Sequence, residues 1–215
     1  MTLPAEKLIT INDRGARVAT TFGSLTSGGA NMVFIKKLTA SSSATLSFVD
    51  GASSVVLDNT YKEYVFTFKN IHAATSGQTF TVNFRDGGTN YDATKTTTYF
   101  LTYQDEAGGG DVAVSYITSK DLAQSTSAQI ISQDTNVDND ASISGYLHLF
   151  NPSSTTFVKH FIANTQSMNL SSGNPYSYQA FIAGYCNVTA AIDGVQFAMS
   201  SGNIDAGDIC LYGIL

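Results

Sequence analysis

Four oxygen-bearing side chains at alternate positions, Asp134, Asn136, Asp138 and Asp140, form the constellation in this chain whose spacing most invites chemistry. Alternate residues of an acid-rich loop can turn their oxygens toward one point, as in the first half of a calcium-binding loop. The pattern then departs from that scheme. Asn139 stands where the turn glycine belongs, and Gly145 where a bidentate Glu would close the shell. The four residues are thus a candidate Ca²⁺ site, weighed against a plain Asx-rich surface loop that needs no metal.

Other reactive types lack partners. His72, His148 and His160 sit outside any HxH or HExxH spacing, and no GxSxG turn offers a serine nucleophile. Asp105 and Glu106 are adjacent, so on a strand they face opposite sides rather than sharing a cleft. Trp, the usual platform of polysaccharide-degrading enzymes, is absent. No catalytic residue is assigned, and a non-enzymatic protein is expected. Cys186 and Cys210 lie in apolar alternating stretches, either as buried thiols or as a bridge between neighbouring strands.

The elements that must position such residues are strands. Among 215 residues, 13 are Phe and 11 Tyr, a bias that suits half-buried pleated surfaces. From Met32 onward short alternating runs recur: 32–39, 44–50, 61–71, 78–86, 96–104, 143–150, 157–163, 178–186, 192–199 and 209–215. Tyr64, Phe66 and Phe68 alternate with Val65, Thr67 and Lys69, and Phe80, Val82 and Phe84 with Thr81, Asn83 and Arg85. One face is thereby assigned to a core and one to water, as in an antiparallel sheet. In the C-terminal run Ile209, Leu211, Gly213 and Leu215 oppose Cys210, Tyr212 and Ile214, so both faces are apolar and the strand is expected to be interior. Residues 105–111 read as a loop, and 120–131 as room for a short helix diluted by Ser and Thr. The expected fold is all-β, an antiparallel two-sheet sandwich of jelly-roll type over 32–215.

Residues 1–31 differ. They are Gly-rich and without sustained period, and read as an extended N-terminal anchoring arm. Lys7, Arg14 and Arg17 outweigh Glu6 and Asp13, giving the arm +1 within a total of −6 and leaving −7 for the body. Opposite charge lets an arm lie along a neighbouring subunit by strand addition. The acidic body repels phosphate, so no nucleic-acid partner is expected. The first residues lack a basic stretch followed by an apolar one, and no run of eighteen apolar residues occurs, so neither a secretory leader nor membrane insertion is expected.

Three stretches, VDGASSVVLDNTYKEYVFTFKNIH (49–72), LHLFNPSSTTFVKHFIA (147–163) and AIDGVQFAMSSGNIDAGDICLYGIL (191–215), resemble a family of small structural proteins of tailed bacteriophages common in marine phages. The resemblance covers most of 32–215 and implies a virion part made in the host cytoplasm and displayed on the particle surface. Its partners would be other tail or capsid subunits. A tail-fibre or knob subunit is favoured over capsid decoration, and a homo-oligomer, trimer first, is expected. The alternative is a carbohydrate-binding module, calcium-assisted through Asp134–Asp140, that holds a host surface glycan.

Overall fold

A computed structural model describes residues 31–171 and 174–215, and builds them into twelve strands. These are β1 (Met32–Thr39), β2 (Leu46–Val49), β3 (Glu63–Ala73), β4 (Phe80–Arg85), β5 (Lys95–Asp105), β6 (Val112–Tyr116), β7 (Gln129–Ile130), β8 (Ile143–Phe150), β9 (Lys159–Ser171), β10 (Asn174–Cys186), β11 (Gly194–Met199) and β12 (Ile204–Ile214). They form two antiparallel sheets that pack face to face as a β-sandwich. The larger has the order β1-β12-β3-β8-β9-β10-β5-β6 and the smaller β2-β11-β4-β7. The arm expected over 1–31, with Lys7, Arg14 and Arg17, lies outside the described residues apart from its last residue.

The pairing is nested: β1 with β12, β2 with β11, β3 with β8, and β4 with β7. A two-stranded ribbon rolled on itself gives this order, with successive strands falling in alternate sheets. Two hairpins interrupt it. One, β5–β6, is inserted between β4 and β7, and the other, β9–β10, between β8 and β11. They pair with each other through β5 and β10 over eleven residue pairs, Tyr176 with Asp105 through Cys186 with Lys95. The larger sheet thereby gains a four-stranded wing, β9-β10-β5-β6, beside its rolled half.

Alternation in the sequence places the core. Phe66, Phe68, Phe80, Phe84 and Phe197 are buried, and Phe68 meets Phe80 and Phe197 edge-on at 5.2 Å. Each such ring contributes about 1.5–3 kcal/mol of burial free energy. In β12 Ile209 and Leu211 point inward while Cys210, Tyr212 and Ile214 point outward, and the strand is interior, between β1 and β3. Near its start a bulge accommodates Gly207 at φ +118°, where a Cβ would lie 2.6 Å from the Asn70 carbonyl oxygen.

Two departures from the sequence expectations are local. No α-helix forms over 120–131; a single 3-10 turn at Thr118–Lys120 precedes extended backbone and the two-residue β7. Side chains there compete for backbone groups: Asp121 accepts from Tyr99 N at 2.7 Å, and the Leu122 N–H donates to Thr97 Oγ1 at 2.8 Å. The expected loop over 105–111 ends in an unexpected strand, β6.

Candidate functional site

Register fixes which side chains the wing shows to solvent. On β8 to β6 the outward positions include Tyr146 and His148, then His160, Ile162, Asn164 and Gln166, then Gln179, Phe181, Ala183 and Tyr185. Thr96, Thr98, Phe100 and Thr102 follow on β5, and Val112, Val114 and Tyr116 on β6. Among the described residues none of these outward positions is Asp, Glu, Lys or Arg. On the rolled half the same face carries Lys37, Asp208, Lys69 and Glu63, with Lys37 Nζ 3.3 Å from Asp208. Thr39 and then Lys37 hold the Asp208 carboxyl below its ordinary value.

The wing's outward face is apolar and relieved. Phe100 and Phe181, directly opposite on β5 and β10, stack at 4.7 Å with planes 8° apart. Beside them lie two adjoining depressions that share Thr98, Ile162 and Ala183. Small side chains make the floor, the Phe100–Phe181 stack walls one side, and His160 with Tyr185, 6.0 Å apart, walls the other. Ile162 is 50% exposed, Tyr116 56% and Val114 77%, all unusual for side chains of this size.

The edge beyond them is open. Among the described residues β6 pairs only with β5, and its sequence Val-Ala-Val-Ser-Tyr carries no charge and no Pro. Short edge strands, charge and bulges are how sheets avoid sticking to one another. The opposite edge, β1, uses two of these, with Lys36 and Lys37 beside a register shift between Phe34 and Lys36. For β6 only shortness remains.

Beneath the wing lies an unusual buried cluster. Lys95 and Lys159 flank Cys186 on the inward face, one on each neighbouring strand, and both lysines are 0% exposed. Lys95 Nζ donates to the Ala93 carbonyl at 2.9 Å, and Lys159 Nζ to that of Val188 at 2.9 Å. Burial lowers both ammonium groups, Lys95 to about 8, and raises the Cys186 thiol to about 12. A cysteine so raised is no nucleophile at neutral pH. Cys210 is also a buried free thiol, and it sits on β12, so the bridge alternative does not occur.

The calcium candidates are differently engaged. Asp134 Oδ1 lies 3.7 Å from Lys120 Nζ, and the Asn136 amide donates to Asp138 at 3.0 Å. Asp138 also offers its carbonyl to His72 Nε2 at 3.0 Å, while Asp140 lines a polar hollow with Asn70 and Asp205. Among the described residues no three His, Cys, Asp or Glu side chains are grouped to hold a metal ion. His148 pairs with Glu63 on the outward face, and His160 stands by Tyr185.

Sequence reasoning missed β6 and its exposed Val112, Val114 and Tyr116, though their alternation was present in the sequence. It also gave no role to Phe100 or Phe181, whose stacking depends on register between strands about eighty residues apart. What the wing offers is a neutral, aromatic, open-edged surface for contact. Searches against family models, curated proteins and solved structures return no match for this chain.

Proposed function

We propose that this chain is a non-enzymatic structural subunit of a bacteriophage virion, a jelly-roll sandwich displayed on the particle surface. It closes into a homo-oligomer, trimer favoured, through its wing, and anchors to other virion proteins through the arm 1–31 with Lys7, Arg14 and Arg17. A tail-fibre or knob position is preferred to capsid decoration. The virion setting rests on the resemblance of 49–72, 147–163 and 191–215 to phage structural proteins.

One observation carries the assembly reading: the outward wing face bears no formal charge on a body of about −7, and ends in the unguarded edge of β6. Two acidic copies meet there without opposing like charges. The four wing strands, about 4.8 Å apart and three of them 11 to 13 residues long, make a face roughly 19 by 35 Å. That footprint approaches the roughly 800 Å² per partner of a stable interface. Aromatic residues with few charges are the composition of an interface centre.

Gold-labelled antibody against this chain, viewed on intact particles, tests the setting. Label at the tail tip is expected. Label on the head moves the subunit to capsid decoration, and particles without label overturn the virion reading. A chain lacking 1–31 should fold and melt cooperatively yet fail to join particles.

A further inference from the structure

The inward face of the wing runs beyond what covers it, and the strand ends there form a cleft of a different character. Tyr176 and Tyr178 project from the same side of β10, and Tyr103 is the direct cross-strand partner of Tyr178 on β5. Their ring centres stand 5.7 to 6.0 Å apart, two pairs tilted and one edge-on. Leu101 and Ile117 form an apolar floor, and Asp111, Ser115 and Gln133 supply the polar rim. The cavity holds about 280 Å³, at or below the small end of ligand sites, about 300–1,000 Å³.

We propose that this cleft binds one or two sugar rings of a glycan, with the half-buried Tyr176 and Tyr103 as the aromatic platform above the buried Tyr178, and Asp111 and Gln133 as the hydroxyl-reading groups. A pyranose has an apolar C–H face and a rim of hydroxyls that both donate and accept. The cleft matches both halves. Tyr176 donates its phenol proton to Asp111 at 2.6 Å, which fixes the ring plane and pushes the phenol up to about 12. An ionised Asp111 has further lone pairs for sugar hydroxyls, since a carboxylate accepts at about four positions. Gln133 receives the Lys120 ammonium on its carbonyl oxygen, so its amide nitrogen is left to donate.

Other ligand classes fit less well. Asp105 and Asp111 together repel anions such as phosphates. A proline-rich peptide would present carbonyl acceptors to an aromatic groove, and the carboxylate at the rim faces them unfavourably. The cleft lining includes none of the calcium candidates Asp134, Asn136, Asp138 and Asp140. The proposal gives the carbohydrate-binding alternative a location on the opposite side of the wing from the assembly face, and it stands independently of the assembly reading.

The test uses the full chain and saturation-transfer NMR with the methyl glycosides of glucose, galactose, mannose, rhamnose and N-acetylglucosamine at millimolar concentration. At least one glycoside should receive saturation from the protein. Tyr176→Ala and Asp111→Asn should each weaken its binding by about tenfold or more, about 1.4 kcal/mol, with melting midpoints unchanged. Asp111 is exposed, so Asp111→Asn remains informative even where Tyr176→Ala disturbs the hairpin end. The proposal is overturned by no transfer to any of the five, by binding that survives both substitutions, or by an octaproline peptide displacing the sugar.

Discussion

The rolled half of the large sheet and its wing show water two different surfaces. On β1, β12 and β3 the outward face carries Lys37, Asp208, Lys69 and Glu63, and the edge is protected by Lys36, Lys37 and a bulge. On β9, β10, β5 and β6 the outward face carries no charge among the described residues, and the edge offers Val112, Val114 and Tyr116. The inward faces differ as well. Phenylalanines fill the rolled half, while the wing adds Tyr99, Phe161 and Ile182 to the same core, hides Lys95 and Lys159, and ends in a tyrosine cleft. The inserted β5–β6 and β9–β10 join the common core through inward residues such as Tyr99, Phe161 and Ile182, which leaves their outward faces free to carry contact surfaces. A stable frame with sites on added segments is a common division of labour.

The largest effect should come from the frame. Removing 209–215 takes most of the interior β12 away and leaves β1 and β3 without their shared partner. Expression of that truncation should yield aggregated protein; a soluble product with an unchanged melting midpoint would contradict the frame assignment.

Next in size are single rings. Phe66→Ala or Phe84→Ala should cost about 3–5 kcal/mol in chemical denaturation, because each leaves a cavity in a closed core. Phe100→Ala, on the outward wing face and 40% exposed, should cost about 1 kcal/mol or less in the monomer. Equal losses at Phe84 and Phe100 would erase the distinction between frame and wing.

A smaller effect belongs to the buried lysine. Burial lowers Lys95 to about 8 in the folded protein, below its ordinary value of 10.5. The unfolded chain therefore holds more protons between those values, and stability from this group rises with pH across that window. Lys95→Met has no such term. Its stability advantage over the parent at pH 7 should narrow as pH passes 8, by up to about 1.4 kcal/mol per pH unit. A difference that stays constant from pH 7 to 9 would show that Lys95 does not titrate low.

Much of the frame was legible in the sequence because burial on one face writes a period of two. Phe80, Val82 and Phe84 alternate cleanly, and β1, Met32–Thr39, has the bounds its residues suggested. β6 escaped notice because five residues behind a Gly-rich loop give a weak period, and β7 because two residues give none. β10 was expected to begin at Tyr178, so Tyr176 was left out of the strand that positions it. Lys95 and Lys159 went unremarked for another reason. Lysine is assigned to water by type, and only pairing on either side of Cys186 reveals that these two point inward. The wing surface was least visible, because its neutrality emerges only when four strands distant in sequence are laid side by side.

Sedimentation velocity on the parent chain and on Val114→Lys tests that surface most directly. Val114 is 77% exposed at the open edge, so the substitution should change monomer stability by about 0.5 kcal/mol or less. The parent is expected to sediment as one closed oligomer, and Val114→Lys as a folded monomer at the same concentration. A parent that sediments as a monomer, or a variant that remains oligomeric, would contradict the wing as the assembly surface.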